Sequence, residues 1–422
     1  MRNHPARSAF RGRLAPALTI LALVALALPA GAAAKSAPSV LTFKTMQVGS
    51  PGNPVVGIVP FENAIYRNCA SAPQTLKPQE PACQEVGSVG YEYSLGQLEV
   101  TVGQWVAFLN TVDPAGRNKY KLYSDNESGA AWPRFGQIDY SSRAPAGRHY
   151  TAAAPDWVDK PYGFANFLRS ARFVNSLYNG QVMETQSATE GPYTYTTYRV
   201  RLSRQTERGM YDMRKRKATR SADSGFVIPS QDEWIKAAYY DPKGGGTYSY
   251  WQYPTNPGAF GDEGQAAPAV ATLDPKTGDV TNGSASQPVA IFHQKEAPVP
   301  YWCPSNQTAR ACERVNPFGI PPVAYEKAFA GSLGTVGQAL TRSPWGTLDQ
   351  GGNAVEWTDT ITAPPFGVEG KRVWRRLHGG IANAPVYQLW LSAVGLQPQD
   401  NTFFTKTYPW LGLRIGVVGN PQ

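Results

Sequence analysis

The amino-acid sequence predicts an α+β protein with little regular secondary structure and long loops. Three observations support this class. Among 422 residues, 41 are Gly and 36 are Pro, so turn-forming residues are abundant. Only three segments have the pattern of a helix, and the strand-like segments are short and far apart. Hydrophobic residues make up 42% of the chain and charged residues 17%, which excludes a coiled coil and a disordered protein.

The first predicted elements are a strand and a helix. Residues 91–95 alternate in polarity, as residues of a strand do. Thr101 then has the position of a helix N-cap, because the apolar residues after it recur with the period of one helix face. These apolar residues are Val102, Trp105, Val106, Leu109 and Val112.

Two more helices and three short strands are predicted further along. One helix covers 164–178, where apolar residues again recur at helical spacing before an Asn-Gly pair. Another covers 234–240, because Ser230 and Glu233 have the spacing of a capping box. Residues 242–340 are rich in Gly, Pro, Ser and Thr, which predicts loops with short strands at best. The C-terminal strand candidates lie around Val373, over 389–394 and over 411–417.

Residues 1–34 have the layout of a secretory signal. Four arginines and no acidic residue precede a short apolar run, which ends in proline and small residues up to Ala34. This layout predicts cleavage after Ala34 and a secreted or periplasmic mature chain, residues 35–422. A membrane anchor is the alternative, but the apolar run is too short to span a bilayer comfortably. No later stretch has spanning length, so we expect no transmembrane segment after cleavage.

Positive charge is concentrated in one segment of the mature chain. Without the four arginines of the signal, the formal net charge of +9 becomes +5, and residues 199–220 contain nine basic and two acidic residues. We interpret this segment as a solvated insertion loop, with an anionic surface such as lipid headgroups or acidic polysaccharide as the alternative partner. Nucleic-acid binding is not expected, because the basic residues are not distributed among stacking aromatic residues.

Four cysteines lie in the mature chain. In an oxidising compartment an even number predicts disulfides, and four cysteines allow three connectivities. Pairing Cys69 with Cys83 and Cys303 with Cys312 would close two short loops, and we favour it. Neither spacing matches a Cys-x-x-Cys motif for metal binding or redox chemistry.

Several short motifs occur in an order that resembles one protein family. They are Leu-Glu-Val-Thr-Val at 98–102, Ala-Arg-Phe-Val-Asn-Ser-Leu at 171–177 with Asn-Gly-Gln at 179–181, Ile-Pro-Ser-Gln-Asp-Glu-Trp at 228–234, Lys-Ala-Ala-Tyr-Tyr at 236–240, Trp-Gly-Thr-Leu-Asp-Gln-Gly-Gly-Asn-Ala-Val-Glu-Trp at 345–357, Gly-Gly at 379–380 and Leu-Gly-Leu-Arg at 411–414. From about residue 43 to residue 418, their order is similar to that of the formylglycine-generating enzyme (sulfatase-modifying factor) family. The resemblance implies a variant of the C-type lectin fold.

The resemblance also bears on domain organisation. It implies a single domain over 35–422 with insertions at about 60–90, 199–222 and 242–340.

The best-known family members oxidise a cysteine of a sulfatase to formylglycine with O2 and copper(I), which two thiolates bind. Soft copper(I) suits thiolate ligands.

The copper-binding positions of the family carry apolar residues in this chain. The two thiolate positions correspond to Ala384 and Leu389, and the first Trp of the family's Gly-Asn-x-Trp-Glu-Trp element corresponds to Val355. We therefore expect no copper and assign no catalytic residue. An iron-dependent branch of the superfamily uses a histidine cluster. The mature chain has only three widely spaced histidines, His149, His293 and His378.

The resemblance implies a structural calcium site. The matching ligands are the side chains of Asp349 and Glu356 and the backbone carbonyl groups of Gly352 and Ala354. Calcium prefers six to eight oxygen ligands, and two carboxylates with alternating carbonyls supply part of such a shell. The alternative is that Asp349 and Glu356 cap the amides of their own loop without a metal.

These observations favour an exported family member that lacks the copper-binding pair and acts as a binding or accessory protein. Its ligand would be a protein, a peptide or a glycan. Six C-terminal aromatic residues are candidates to line a groove, with core packing as the alternative. A divergent formylglycine-generating or other protein-modifying oxidoreductase is the alternative function. The aromatic candidates are Tyr387, Trp390, Phe403, Phe404, Tyr408 and Trp410.

Overall fold

The sheets and helices of the protein form a mixed α+β architecture, as the sequence predicts. The computed structural model describes residues 39–58, 84–130, 136–244, 249–259, 267–274, 276–292, 333–364, 370–382, 386–391, 393–400 and 410–421. All of these residues belong to one compact unit, Ser36–Gln422. The predicted signal, the four cysteines, His293 and Ala384 lie outside the described residues. None of the described helices is long and apolar enough to cross a bilayer.

The largest sheet has six strands, all in antiparallel pairs. Its centre pairs β1 (Val40–Val48) with β4 (Tyr93–Gly96), and a long hairpin of β7 (Gln181–Glu190) and β8 (Tyr193–Arg201) extends one side. At the end of β8, buried Tyr198 and Val200 alternate with exposed Arg199 and Arg201, so this part of the sheet has one covered face, whereas β7 is mostly exposed. In spatial order the strands are β7 (Gln181–Glu190), β8 (Tyr193–Arg201), β1 (Val40–Val48), β4 (Tyr93–Gly96), β18 (Gly416–Val418) and β9 (Gly225–Val227).

A second, four-stranded sheet lies near the C-terminal end of the chain. Its strands are β16 (Gly395–Pro398), β15 (Trp374–His378), β14 (Val355–Thr362) and β17 (Leu411–Gly412), and β17 pairs with β14 in parallel. Four two-stranded sheets complete the described strands. These are β2 (Val56–Ile58) with β3 (Gln84–Val86), β5 (Ile138–Tyr140) with β6 (Tyr150–Ala152), β10 (Trp251–Tyr253) with β11 (Asn256–Ala259), and β12 (Ala269–Val270) with β13 (Val289–Ala290).

The three described α-helices begin at side-chain caps. Helix α1 (Val102–Val112) has a capping box between Thr101 and Gln104, which confirms Thr101 as the N-cap. Helix α3 (Gln231–Tyr239) has the predicted box between Ser230 and Glu233, but it begins three residues earlier than predicted, directly after its cap. Helix α2 (Phe167–Tyr178) starts three residues later than predicted, because the side chain of Asn166 accepts from the Arg169 amide and caps the helix there.

The main core lies between α1, α2 and the large sheet. Trp105 of α1 stacks on Tyr162 at 4.1 Å between ring centroids and on Phe173 of α2 at 5.4 Å. Both helices present their predicted apolar faces to this core. Two C-terminal predictions were imprecise: the strand expected over 389–394 starts only at Gly395, after a 3-10 turn that ends at Leu389, and 411–417 form two short strands in different sheets.

Candidate functional site

The predicted calcium loop, residues 349–356, is buried and leads into β14. Asp349 and Asn353 adopt the left-handed region, with φ of 56° and 57°. Gly352 has φ of 92°, and a Cβ there would lie 2.1 Å from the carbonyl oxygen of Ile291. Glycine is therefore required at this close approach. The amide of Asn353 donates to the same carbonyl oxygen at 2.9 Å, so the loop has a fixed conformation.

Glu356 forms a buried ion pair with Arg414. Arg414 Nε lies 3.0 Å from both carboxylate oxygens, and Nη2 lies 2.7 Å from Oε1. The indole Nε1 of Trp234 donates to Oε2 at 2.7 Å. Burial lowers the pKa of Arg414, but attraction to Glu356, Glu99 and Asp349 and the hydrogen bonds to Glu356 together outweigh burial, so the pKa is raised. The guanidinium also donates to the carbonyl oxygens of Gly96, Gln97 and Leu348.

Two more carboxyl groups lie beside this ion pair. Glu99 accepts long hydrogen bonds from the Asn353 side chain at 3.4 Å and from the Ala354 amide at 3.3 Å. Asp349 accepts a hydrogen bond from the Gly337 amide. Burial raises the pKa of Asp349 to about 6, and burial together with repulsion from Asp349 raises the pKa of Glu99 well above its usual range. The buried cluster thus has three carboxyl groups and one guanidinium.

These residues fit a calcium ion only in part. Asp349 offers a buried carboxyl group in an acidic cluster, which suits a cation, and Gly352 and Ala354 lie in the same loop. Glu356 does not fit as a ligand, because both of its oxygens already accept from Arg414 and Trp234. Across the described residues, no three His, Cys, Asp or Glu side chains are grouped so that they could hold a metal ion. A cation at this loop would therefore depend on Asp349 and backbone carbonyl groups.

Leu389, which the sequence resemblance aligns with a thiolate position, is fully buried. It ends the 3-10 turn of residues 386–389. Its side chain belongs to an apolar cluster with Tyr253, Ala290, Phe292, Val386 and Trp390. Packed hydrocarbon therefore surrounds this position, and the leucine offers no donor atom to a metal.

A cavity of about 340 Å³ next to this turn is lined by His378, Gln388 and Gln397, among others. His378 is 1% exposed, and its ring stacks on Trp234 at 5.1 Å between centroids. Its Nε2 has no hydrogen-bond partner among the residues that the structure describes. Burial, with repulsion from Arg376, lowers the pKa of His378 to about 3. The imidazole is therefore neutral at physiological pH and a weak base.

The remaining predicted candidates, His149 and the C-terminal aromatic residues, are not members of the buried carboxylate cluster. His149 is buried, with Nδ1 2.8 Å from the carbonyl oxygen of Ser141. Trp390 and Trp410 pack in apolar clusters, which confirms the core alternative for these two aromatic residues. The side chains of Tyr387, Phe403, Phe404 and Tyr408 lie outside the described residues.

The basic segment, residues 199–220, is only partly a solvated loop. Residues 199–201 belong to β8, and 214–217 are exposed. Arg220 instead forms largely buried ion pairs with Glu233 at 2.9 Å and with Asp359 at 2.8 Å. The insertion is thus anchored to α3 and β14 at its C-terminal end.

Sequence reasoning missed Glu99 and Arg414. Both lie in motifs that pointed to the family, but neither was given a role. A sequence signal for both residues exists, because each is a charged residue within an otherwise apolar motif. A buried charge requires a partner.

Comparisons with known proteins give only distant similarities. No protein-family model matches the sequence, and no curated protein matches it. The crystal structure of CarF has 15% identity and a TM-score of 0.38, over 91% of this chain and 100% of CarF. Treponema denticola variable protein 1 has 15% identity and a TM-score of 0.34, over 90% of this chain and 99% of its own. PvdO from Pseudomonas aeruginosa has 11% identity and a TM-score of 0.36, over 91% and 99%.

Proposed function

We propose that this protein is an exported binding or accessory protein on the formylglycine-generating-enzyme variant of the C-type lectin fold, and not a copper oxidase. The ordered motifs support the scaffold, and the layout of residues 1–34 supports export. The observation that carries the proposal is the burial of Leu389 in an apolar cluster at a thiolate position. Copper(I) requires soft donors, and this position supplies none.

One observation favours the alternative, a divergent protein-modifying enzyme. The cavity beside His378 contains polar side chains, and Nε2 of this histidine lacks a partner within the described ranges. A general base should have a pKa near the working pH. The pKa of His378, lowered to about 3, makes it a poor base, while Nε2 of the neutral ring can donate or accept one hydrogen bond according to the tautomer. The cavity therefore suits ligand binding better than proton transfer.

The proposal is tested by a competition titration for copper(I). The mature chain, residues 35–422, is titrated against a chromogenic copper(I) chelator under reducing, anaerobic conditions. We expect that the chain does not remove one equivalent of copper(I) from the chelator when free copper(I) is at nanomolar concentration. A variant with all four native cysteines replaced by serine serves as the matched control. Tight 1:1 binding to the native chain, lost in that variant, would mean that native cysteines form the site and would overturn the proposal.

We also propose a structural calcium ion at the 349–356 loop, with Asp349 and the carbonyl groups of Gly352 and Ala354 as ligands. At one hundred times its Kd, calcium would add about 2.7 kcal/mol to the unfolding free energy. We therefore expect a higher Tm in excess calcium than in chelator at pH 7.5. The shift should vanish in Asp349→Asn and persist in Asp125→Asn, which changes an exposed aspartate elsewhere. Equal melting temperatures in calcium and chelator would contradict this site.

A further inference from the structure

An aromatic cleft of about 300 Å³ lies at the tip of the β7–β8 hairpin. Three half-buried rings line it, those of Tyr193, Trp251 and Trp345. Asp241 and Gln47 add polar groups at the same cleft. A concave site with apolar rings and a few polar groups is the usual form of a small-ligand site.

Separate contacts hold the three rings in place. The indole Nε1 of Trp251 donates to Asp241 Oδ2 at 3.3 Å. Tyr193 lies under the guanidinium of Arg342, 5.2 Å from the ring centroid, and against Gly346, where a Cβ would come within 2.7 Å of the ring. Trp345 packs partly against the core clusters around α3. Rings that are fixed before binding lose little conformational entropy when a ligand arrives.

The charge of the lining favours a neutral ligand. Asp241 and Lys243 are its acidic and basic side chains, so the charges balance. The Asp241 carboxylate accepts one hydrogen bond from the Lys243 amide at 2.9 Å and one from Trp251. A carboxylate can accept about four hydrogen bonds, so acceptor capacity remains for a ligand.

The Asp241 carboxylate can still accept hydrogen bonds, and it lies beside flat aromatic rings. This combination favours a ligand that has many O–H donors and an apolar face. A sugar ring has both, since its axial C–H groups form an apolar face and its hydroxyl groups lie at the edge. A proline-rich peptide also suits aromatic clefts, but it offers carbonyl acceptors to the Asp241 carboxylate, which cannot donate. Strand addition is disfavoured because Tyr193 pairs with β7 and Trp251 pairs with β11.

We propose that this cleft binds a neutral saccharide, with Tyr193, Trp251 and Trp345 stacking on sugar rings and Asp241 accepting from hydroxyl groups. The proposal rests on the proposed binding function and names the ligand class that this function would serve. It uses neither the calcium loop nor the cavity beside His378.

The test is isothermal titration of the mature chain with four neutral hexasaccharides: cellohexaose, maltohexaose, mannohexaose and chitohexaose. We expect binding of at least one, with tryptophan fluorescence changing on addition. Trp251→Ala and Trp345→Ala should each weaken binding about tenfold or more, because removing a central aromatic anchor typically costs over 1 kcal/mol. Asp241→Asn should weaken it while leaving Tm almost unchanged. Tyr140→Ala, which removes an exposed ring elsewhere, should bind as the native chain does.

Three results would overturn the saccharide proposal. The first is that none of the four hexasaccharides binds. The second is that a hexasaccharide binds but its affinity is unchanged in Trp251→Ala and Asp241→Asn. The third is that a decaproline peptide binds instead, and that this binding is lost in Trp251→Ala. The last result would assign the cleft to a peptide and leave the proposed binding function intact. Tight copper(I) binding in the separate titration would remove the proposed function without changing the saccharide result, so the two failures are distinguishable.

Discussion

Replacing Arg414 by methionine is expected to lower the free energy of unfolding by about 3–5 kcal/mol. Arg414 is fully buried, and its guanidinium pairs with Glu356 and with three backbone carbonyl groups. Methionine keeps the aliphatic stem but leaves the Glu356 carboxylate as an uncompensated buried charge. Chemical denaturation of both chains, followed by circular dichroism, measures the difference.

Arg372→Met is the matched control. Arg372 pairs with Asp400 at 3.0 Å, but both side chains are about half exposed, so its loss should cost no more than about 1 kcal/mol. The double variant Arg414→Met with Glu356→Gln should be less destabilised than the two single variants together, because the unpaired charge is gone. Similar losses for Arg414→Met and Arg372→Met would contradict the buried network.

The buried carboxyl group of Asp349 is expected to contribute less stability to the calcium-free protein as pH rises from about 4 to about 7. Burial raises the pKa of this carboxyl group to about 6, so the native state binds a proton that the unfolded chain has released. The contribution is fully present below the unfolded pKa and is lost as pH rises through 6. At about 1.4 kcal/mol for each pKa unit, it amounts to about 3 kcal/mol.

The difference between the native chain and Asp349→Asn isolates this contribution. His378 acts in the opposite direction, because its lowered pKa makes acidification below about 6.5 destabilising. Asp349→Asn should therefore gain stability relative to the native chain as pH rises from 4 to 7 in chelator. In saturating calcium the gain should disappear, since the ion would hold the carboxylate ionised. A difference that does not change with pH would show that Asp349 is not buried as an acid.

Local sequence signals predicted the helices well. The N-cap at Thr101 and the capping box at Ser230 each involve residues of one short segment, so the sequence shows both. The β7–β8 hairpin was not predicted, although residues 193–201 alternate as a strand does. Residues 389–394 are mostly apolar and were predicted to form a strand. Instead, Leu389 ends a 3-10 turn and packs in an apolar cluster, so tertiary packing rather than strand propensity determines the local structure.

The site was predicted only in part, for a physical reason. Asp349 and Glu356 belong to one short segment, so the sequence shows both as candidate carboxylates, and the structure buries both. The partner of Glu356 is 58 positions away, and Glu99 is more than 250 positions from the Asn353 side chain that it contacts. No local pattern connects such residues. The balance of three carboxyl groups against one guanidinium appears only when the chain has folded.

The central claim, that this scaffold does not carry formylglycine chemistry, is tested most directly by a conversion assay. The mature chain is loaded with copper, supplied with a reductant and O2, and incubated with a peptide that contains Cys-x-Pro-x-Arg. Mass spectrometry then follows conversion of the cysteine to formylglycine, with an active family enzyme as the positive control. We predict no conversion above the peptide-only background. Turnover would contradict the account, because it would require a copper site other than the apolar position of Leu389.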